Sequence, residues 1–188
     1  MKYSREIIEE TFRRKEKMKY VFFWGHTPSA DGSVTKSCFS QWYNCRFTVD
    51  GTEYHTAEQY MMSQKALLFG DREINAEIMK AVHPKQFKEL GRRISGFDEK
   101  TWNENRTDIV IRGNFAKFSQ NPELKSFLLG TNKRVLVEAS PCDKIWGIGL
   151  SADDPKAMNP LQWQGENLLG FCLMEVRDMI KEEDVIND

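Results

Sequence analysis

Arg46-Phe-Thr-Val-Asp-Gly-Thr-Glu-Tyr-His-Thr-Ala-Glu-Gln59 is the stretch that decides the fold. Asp50-Gly51 is the dipeptide of a two-residue hairpin turn. In that register Phe47 sits opposite Tyr54 and Val49 opposite Thr52, so the apolar partners share a face. Thr56-Ala-Glu-Gln59 then matches a capping box and opens a helix to about Phe69. A strand period of two thus gives way directly to a helical one.

On the N-terminal side, residues 25–40 are rich in Gly, Ser, Thr and Pro and read as a long loop, of the kind that often binds or covers a ligand. Tyr20-Val-Phe-Phe-Trp24 reads as a buried strand stopped by Gly25 and Pro28. Residues 3–18 are charged, with Ile7, Ile8 and Phe12 on one helical stripe, and predict a peripheral helix. On the C-terminal side, short helices are expected around 71–81 and 84–91, then a longer one capped by Asp98 and running through Phe118. Asn121-Pro122 opens another, to about Leu129, with Gly130 as its stop. Arg134–Glu138 and Trp146–Leu150 read as two short strands, and Asn167 as the cap of a final helix over 168–182. The expectation is an α+β fold, a mainly helical single domain around a small β-sheet. Its boundaries are an N-terminal peripheral helix over 1–19, the domain over 20–182 and a short acidic tail over 183–188.

Composition narrows the function. With 188 residues, 40% hydrophobic and 29% charged, the chain can bury a core and is not of disordered type. Its 27 basic and 28 acidic residues offer no bulk electrostatic drive onto nucleic acid or an anionic membrane. No run approaches the roughly 20 apolar residues of a membrane span. The opening Met-Lys-Tyr-Ser-Arg-Glu lacks the apolar run of a secretory signal, so a cytoplasmic protein is expected. Cys38, Cys45, Cys142 and Cys172 form no C-x-x-C pair and read as free thiols. With His26, His55 and His83 scattered, no metal site and no cofactor are expected. The markers of P-loop phosphoryl transfer, Rossmann redox chemistry, serine hydrolysis and zinc proteolysis are all missing.

Chemistry can arise at four places. Glu58 falls in the first turn of the helix opened by Thr56, and Lys65 lies seven residues on, about 10 Å along the same face. Glu58 reads either as a helix-dipole acid or as a carboxylate that steadies a developing cation. Lys65 reads either as a solvated lysine or, if held from water, as a nucleophile. Trp102 and Arg106 share a stripe one turn apart, which suits a planar base and a phosphate as well as it suits core packing. Lys117 follows near that helix's end, either as a helix-surface lysine or as a ligand contact. Glu138-Ala-Ser-Pro-Cys-Asp-Lys-Ile-Trp-Gly-Ile-Gly149 puts Asp143 in a turn beside Trp146. Asp143 either bonds its own backbone or pairs with Glu58 as a second acid for glycoside-bond chemistry. Lastly, Trp163-Gln-Gly-Glu-Asn-Leu-Leu-Gly170 leads through Asn167 into a helix and can present N–H groups to an anion.

These motifs, taken in order, resemble a known family. Phe39-Ser-Gln-Trp-Tyr43, Glu58-Gln-Tyr-Met-Met-Ser-Gln-Lys-Ala66, Leu90-Gly-Arg92 and Trp102-Asn-Glu-Asn-Arg106 come first. Lys117-Phe118, Glu138-Ala-Ser-Pro-Cys-Asp143, Trp146-Gly-Ile-Gly149 and Asn167-Leu-Leu-Gly170 complete the series. The combination is similar to the NADAR, or YbiA-like, family over about Val21 to Arg177, departing at Gln41-Trp42, where many relatives carry Asn then Phe.

The resemblance implies an N-glycosidase acting on phosphoribosylated amines. Its substrate would be an early aminopyrimidine intermediate of riboflavin biosynthesis, releasing ribose 5-phosphate. It carries catalytic roles onto Glu58, Asp143 and Lys65. Substrate contacts fall to Trp102, Arg106, Lys117, Trp146 and Asn167, with Arg106 as phosphate anchor and Lys117 behind it. Two mechanisms stay open, direct attack by water and a Schiff base on Lys65. Two other functions compete: an ADP-ribosyl–guanine glycohydrolase acting on nucleic acid, and a noncatalytic ADP-ribose or nucleotide binder. Neither a membrane nor an obligate protein partner is implied.

Overall fold

The computed structural model describes residues 1–187. It contains seven α-helices and four short strands among these residues, a helix-rich α+β fold. The chain divides into two compact units, one formed by Gln41–Asn121 and the other by Met1–Ser40 with the chain from Pro122 on.

In the Gln41–Asn121 unit, β2 (Phe47–Val49) and β3 (Thr52–Tyr54) form the hairpin the alternation predicts. Phe47 pairs with Tyr54 and Val49 with Thr52. Asp50 and Gly51 both have positive φ, 50° and 77°, as the type I′ turn demands. The apolar face of the hairpin joins Tyr60 and Ala116 in one buried cluster, with the Tyr54 ring edge-on to Tyr60 at 5.1 Å. α2 (Ala57–Leu68) starts where Thr56 accepts a hydrogen bond from the Gln59 N–H. The Gln59 side chain returns the bond one residue earlier than a capping box would, to the His55 N–H at 2.9 Å.

α3 (Arg72–Lys80), α4 (Pro84–Arg92) and α5 (Glu99–Ser119) follow, α3 and α5 capped by Asp71 and Asp98. Gly113 lets α5 approach α2, since a Cβ there would stand 2.4 Å from the Tyr60 ring.

In the other unit, β1 (Tyr20–Phe23) and β4 (Val135–Glu138) pair in parallel, Tyr20 with Val135 through Phe23 with Glu138. Val135, Leu136 and Val137 are buried, as a strand covered on both faces requires. α7 (Leu168–Asn187) packs on β4, and Leu169, Phe171, Cys172, Leu173, Met174 and Val176 are all buried. α1 (Arg5–Arg13) is held by Arg5, which donates to the Trp163 carbonyl at 2.8 Å, and by the buried Ile8. α6 (Pro122–Leu129) completes the unit.

Three expectations change. The strands form two separate two-stranded sheets, because the Asp50-Gly51 turn pairs β2 with its immediate neighbour while β4 finds β1 far away in sequence. Trp146–Leu150 is not a strand: Gly149 has a φ of 67°, incompatible with extended backbone, and donates to the Asp143 carbonyl. Residues 183–187 of the expected acidic tail continue α7, while Asp188 lies outside the described residues.

Candidate active site

α2 and α5 run side by side, and the candidate residues of the Gln41–Asn121 unit are strung along this pair. Glu58 sits in the first turn of α2, 6% exposed, and its N–H donates to the Gln41 carbonyl at 2.9 Å. Gln41 in turn accepts from the Asn114 amide of α5 at 2.9 Å, so the start of α2 is tied to the C-terminal half of α5. The departure at Gln41 is therefore a buried hydrogen-bonding position next to Glu58.

Lys65 lies at the opposite end of α2. Its ammonium donates to the Gly91 carbonyl at 2.9 Å and stands 4.4 Å from the Phe97 ring centroid and 5.4 Å from that of Trp102. Burial lowers the Lys65 pKa, and the Glu58 carboxylate partly opposes that by favouring the charged form. Lys65 is thus half-buried against two aromatic rings and a neutral acceptor, and Glu58 is the acid whose field it feels. Of these influences it is the burial that favours the neutral, nucleophilic amine.

Trp102, whose sequence pattern suits base stacking, presents its ring to the Lys65 ammonium. Arg106 is one turn further along α5 and half-buried. Lys117 is fully buried, against the surface position that an ordinary helix lysine takes, with its ammonium 5.6 Å from the Tyr43 ring and 5.2 Å from the Phe118 ring. Eleven residues separate it from Arg106, about 16 Å along a helix. The two side chains therefore leave α5 well apart. Lys117 belongs to the Glu58 end, one turn from the Asn114 that reaches Gln41.

The remaining candidates belong to the other unit, on the connection from β4 to α7. Asp143 accepts from the N–H groups of Ile145 and Trp146 through one oxygen, at 2.9 and 2.8 Å. This is the turn-stabilising role that an aspartate in such a loop commonly has, and it orients the Trp146 backbone. Asn167 does not cap α7 with its side chain. It is fully buried at a φ of 57°, accepts from the Glu138 N–H and donates to the Leu136 carbonyl, both at 2.9 Å. Both ends of its amide bond β4, which ties Asn167 to the Glu138 backbone. Gly170 is required beside it, since a Cβ there would meet the Leu136 carbonyl at 2.1 Å.

The sequence patterns assign no role to Phe97, Gly91, Tyr43 or Asn114, and mark Gln41 only as a departure from the family pattern. One signal was available: Phe97 precedes the Asp98 cap and Trp102 is the fourth helical residue, the spacing of a hydrophobic staple. Among the described residues, no group of three His, Cys, Asp or Glu side chains could hold a metal ion, and no helix is long and apolar enough to cross a membrane.

The NADAR domain family model matches residues 22–181 of the chain. An N-glycosidase of Acanthamoeba polyphaga mimivirus is 46% identical over 165 residues, covering 85% of this chain and 95% of that protein. N-glycosidase YbiA of Escherichia coli is 31% identical over 145 residues, 77% of this chain and 82% of YbiA. The NMR structure of E. coli YbiA superposes with a TM-score of 0.72 at 27% identity, covering 90% of this chain and 89% of that one.

Proposed function

The chain belongs to the NADAR family, and from that premise we propose that it is an N-glycosidase whose substrate is a phosphoribosylated aminopyrimidine of the early riboflavin-intermediate type. The observation that carries the chemistry is the setting of Lys65, on the helix that Glu58 opens, with its amine on the Gly91 carbonyl and beside the Phe97 and Trp102 rings. Cleaving the C1′–N bond develops positive charge on the ribose, and a carboxylate fixed at the start of α2 stabilises that charge as it forms. Trp102 and Phe97 offer flat apolar surface for the departing base, and Arg106 supplies a cation for the ribose phosphate.

The placement of Lys65, half-buried at the faces of the Phe97 and Trp102 rings, supports the Schiff-base route. The neutral amine adds to C1′ of the ring-opened substrate, and the aminopyrimidine leaves with its nitrogen protonated. A C1′=Nζ imine then links ribose phosphate to Lys65. Water adds across that imine, and the C–N bond breaks to release ribose 5-phosphate and the free lysine. Overall one water is consumed and no electrons are transferred. The near-balance of 27 basic and 28 acidic residues supports a small substrate over an extended nucleic-acid surface.

The test incubates the protein separately with a ribosylaminopyrimidine phosphate and with ADP-ribosylated DNA, and follows products by mass spectrometry. Release of ribose 5-phosphate and a borohydride-trapped adduct on Lys65 are the expected results. Turnover of the DNA alone would move the substrate to the ADP-ribosyl–guanine class. Turnover of the pyrimidine with no trapped adduct would return the mechanism to direct water attack.

A further inference from the structure

In the unit built on β1 and β4, a concavity of about 840 Å³ opens at the start of the two strands. Lys17, Lys19, Lys133, Arg134 and Lys181 line it, and no acidic side chain does. Because β1 and β4 are parallel, both enter the sheet at this concavity and both leave it four residues later, at Phe23 and Glu138. The groove therefore lies about 13 Å along the strand from Glu138. None of the candidate catalytic or substrate-contact residues named above lines it.

Three features distinguish it from a scatter of surface lysines. First, its cations lack counter-ions: among the described residues no carboxylate oxygen lies within 4.0 Å of any of the five. Of the acids near it in sequence, Glu16 pairs with Arg14 at 3.0 Å, Asp178 with Lys2 at 2.8 Å and Asp184 with Lys125 at 2.6 Å, and Glu182 and Glu183 do not line the groove. Second, Arg134 is fixed, its guanidinium donating to the carbonyls of Thr131 at 3.1 Å and Gly130 at 2.8 Å. Third, a sixth cation stands behind the wall. Arg177 is 2% exposed, donates to the Arg134 carbonyl and to the Thr131 hydroxyl, and has no carboxylate within 4.0 Å among the described residues. A buried guanidinium with only neutral partners adds field that water does not screen. In a chain of net charge −1, so many cations without acids in one concavity is a strong local asymmetry.

We propose that this groove is a second anion site, for a compact ligand carrying two or more phosphoryl groups. Its volume lies in the range of small-molecule sites. No aromatic side chain lines it, so it has no platform for a base and reads phosphoryl charge alone. The ligand is either a free polyphosphorylated molecule or a phosphorylated lipid headgroup.

Calorimetry of the full chain with inorganic tripolyphosphate tests the site, independently of the N-glycosidase reading. Saturable binding is expected that weakens as salt rises from about 0.05 to 0.5 M. Reversing two lysines (Lys19→Glu with Lys133→Glu) should weaken it at least about tenfold, with the melting temperature and glycosidase rate unchanged. Lys181→Glu, on a different element, should weaken it independently. Arg106→Ala should bind tripolyphosphate as the unmodified chain does. Sedimentation with phosphatidylcholine vesicles, with and without phosphatidylinositol bisphosphate, then assigns the source: lipid-dependent sedimentation identifies a headgroup, and its absence a free polyphosphate. Tripolyphosphate affinity indifferent to all three lysines, or lost in Arg106→Ala, would overturn the proposal.

Discussion

Lys65 is the residue on which the proposed chemistry turns, and its environment makes two opposed demands. Burial favours the neutral amine, whereas Glu58 favours the ammonium. Removing the Glu58 charge with Glu58→Gln should therefore lower the Lys65 pKa further. The pH profile of borohydride trapping should shift to lower pH in that variant. In the same variant kcat should fall at least about a hundredfold, the scale of one preorganised electrostatic group. KM should move little, because the ground-state ribose carries no such charge. Near wild-type turnover would return Glu58 to the role of a helix-dipole acid. The sign for stability is the reverse of a stabilising ion pair. A lysine whose folded pKa lies below its unfolded one costs stability while charged, so Lys65 should make the fold more stable as pH rises through its folded value toward 10.5. Lys65→Met should flatten that rise in a series of melting curves. Trp102→Ala should weaken substrate by about 1–3 kcal/mol, whereas Arg106→Ala should cost more for the phosphorylated substrate than for the free riboside. Equal losses on both substrates would remove Arg106 from the phosphate site.

Two contacts between elements set where these side chains stand. α5 reaches α2 through Gly113, and Gly113→Ala would drive a methyl group into the Tyr60 ring. Overpacking of that kind costs about 1–3 kcal/mol. It should also lower activity, since the α2–α5 spacing carries Trp102 to Lys65. In the other unit, Asn167 stitches the start of α7 to β4 through two hydrogen bonds. Asn167→Ala leaves the Leu136 carbonyl and the Glu138 N–H without that amide, at about 1–3 kcal/mol for each buried group left unsatisfied. If Asn167 is a positioning residue, the variant should melt earlier and lose kcat more than it raises KM. A large rise in KM at an unchanged melting temperature would instead make it a substrate contact.

At the scale of the whole molecule, charge and ligand chemistry are distributed unevenly. Acids and bases almost cancel over the chain, yet the groove at the start of β1 and β4 gathers five cations and no acid. The histidines and cysteines show the opposite pattern, with no three ligands together among the described residues. Hydrolysis should therefore persist in excess chelator. Loss of activity in EDTA with recovery on adding zinc would overturn that expectation.

Local interactions were legible in the sequence because they close within a few residues. The Asp50-Gly51 hairpin, the Thr56, Asp71 and Asp98 caps and the shared face of Glu58 and Lys65 each follow from turn chemistry or helical phase. The two readings of Asp143 were also legible, and the local one describes its observed bonds. What tertiary structure alone decided lies at long sequence separation. No periodicity brings the Gly91 carbonyl to Lys65, buries Lys117 beside Tyr43 or spends both ends of Asn167 on β4. Trp146–Leu150 has the composition of a strand, and it is Gly149 folding back onto Asp143 that denies it one. The basic groove draws on three stretches, 17–19, 132–135 and 181, none of which is unusual by itself. Sequence patterns report the free energy of neighbours along the chain, and these features arise from contacts that exist only once distant segments have packed.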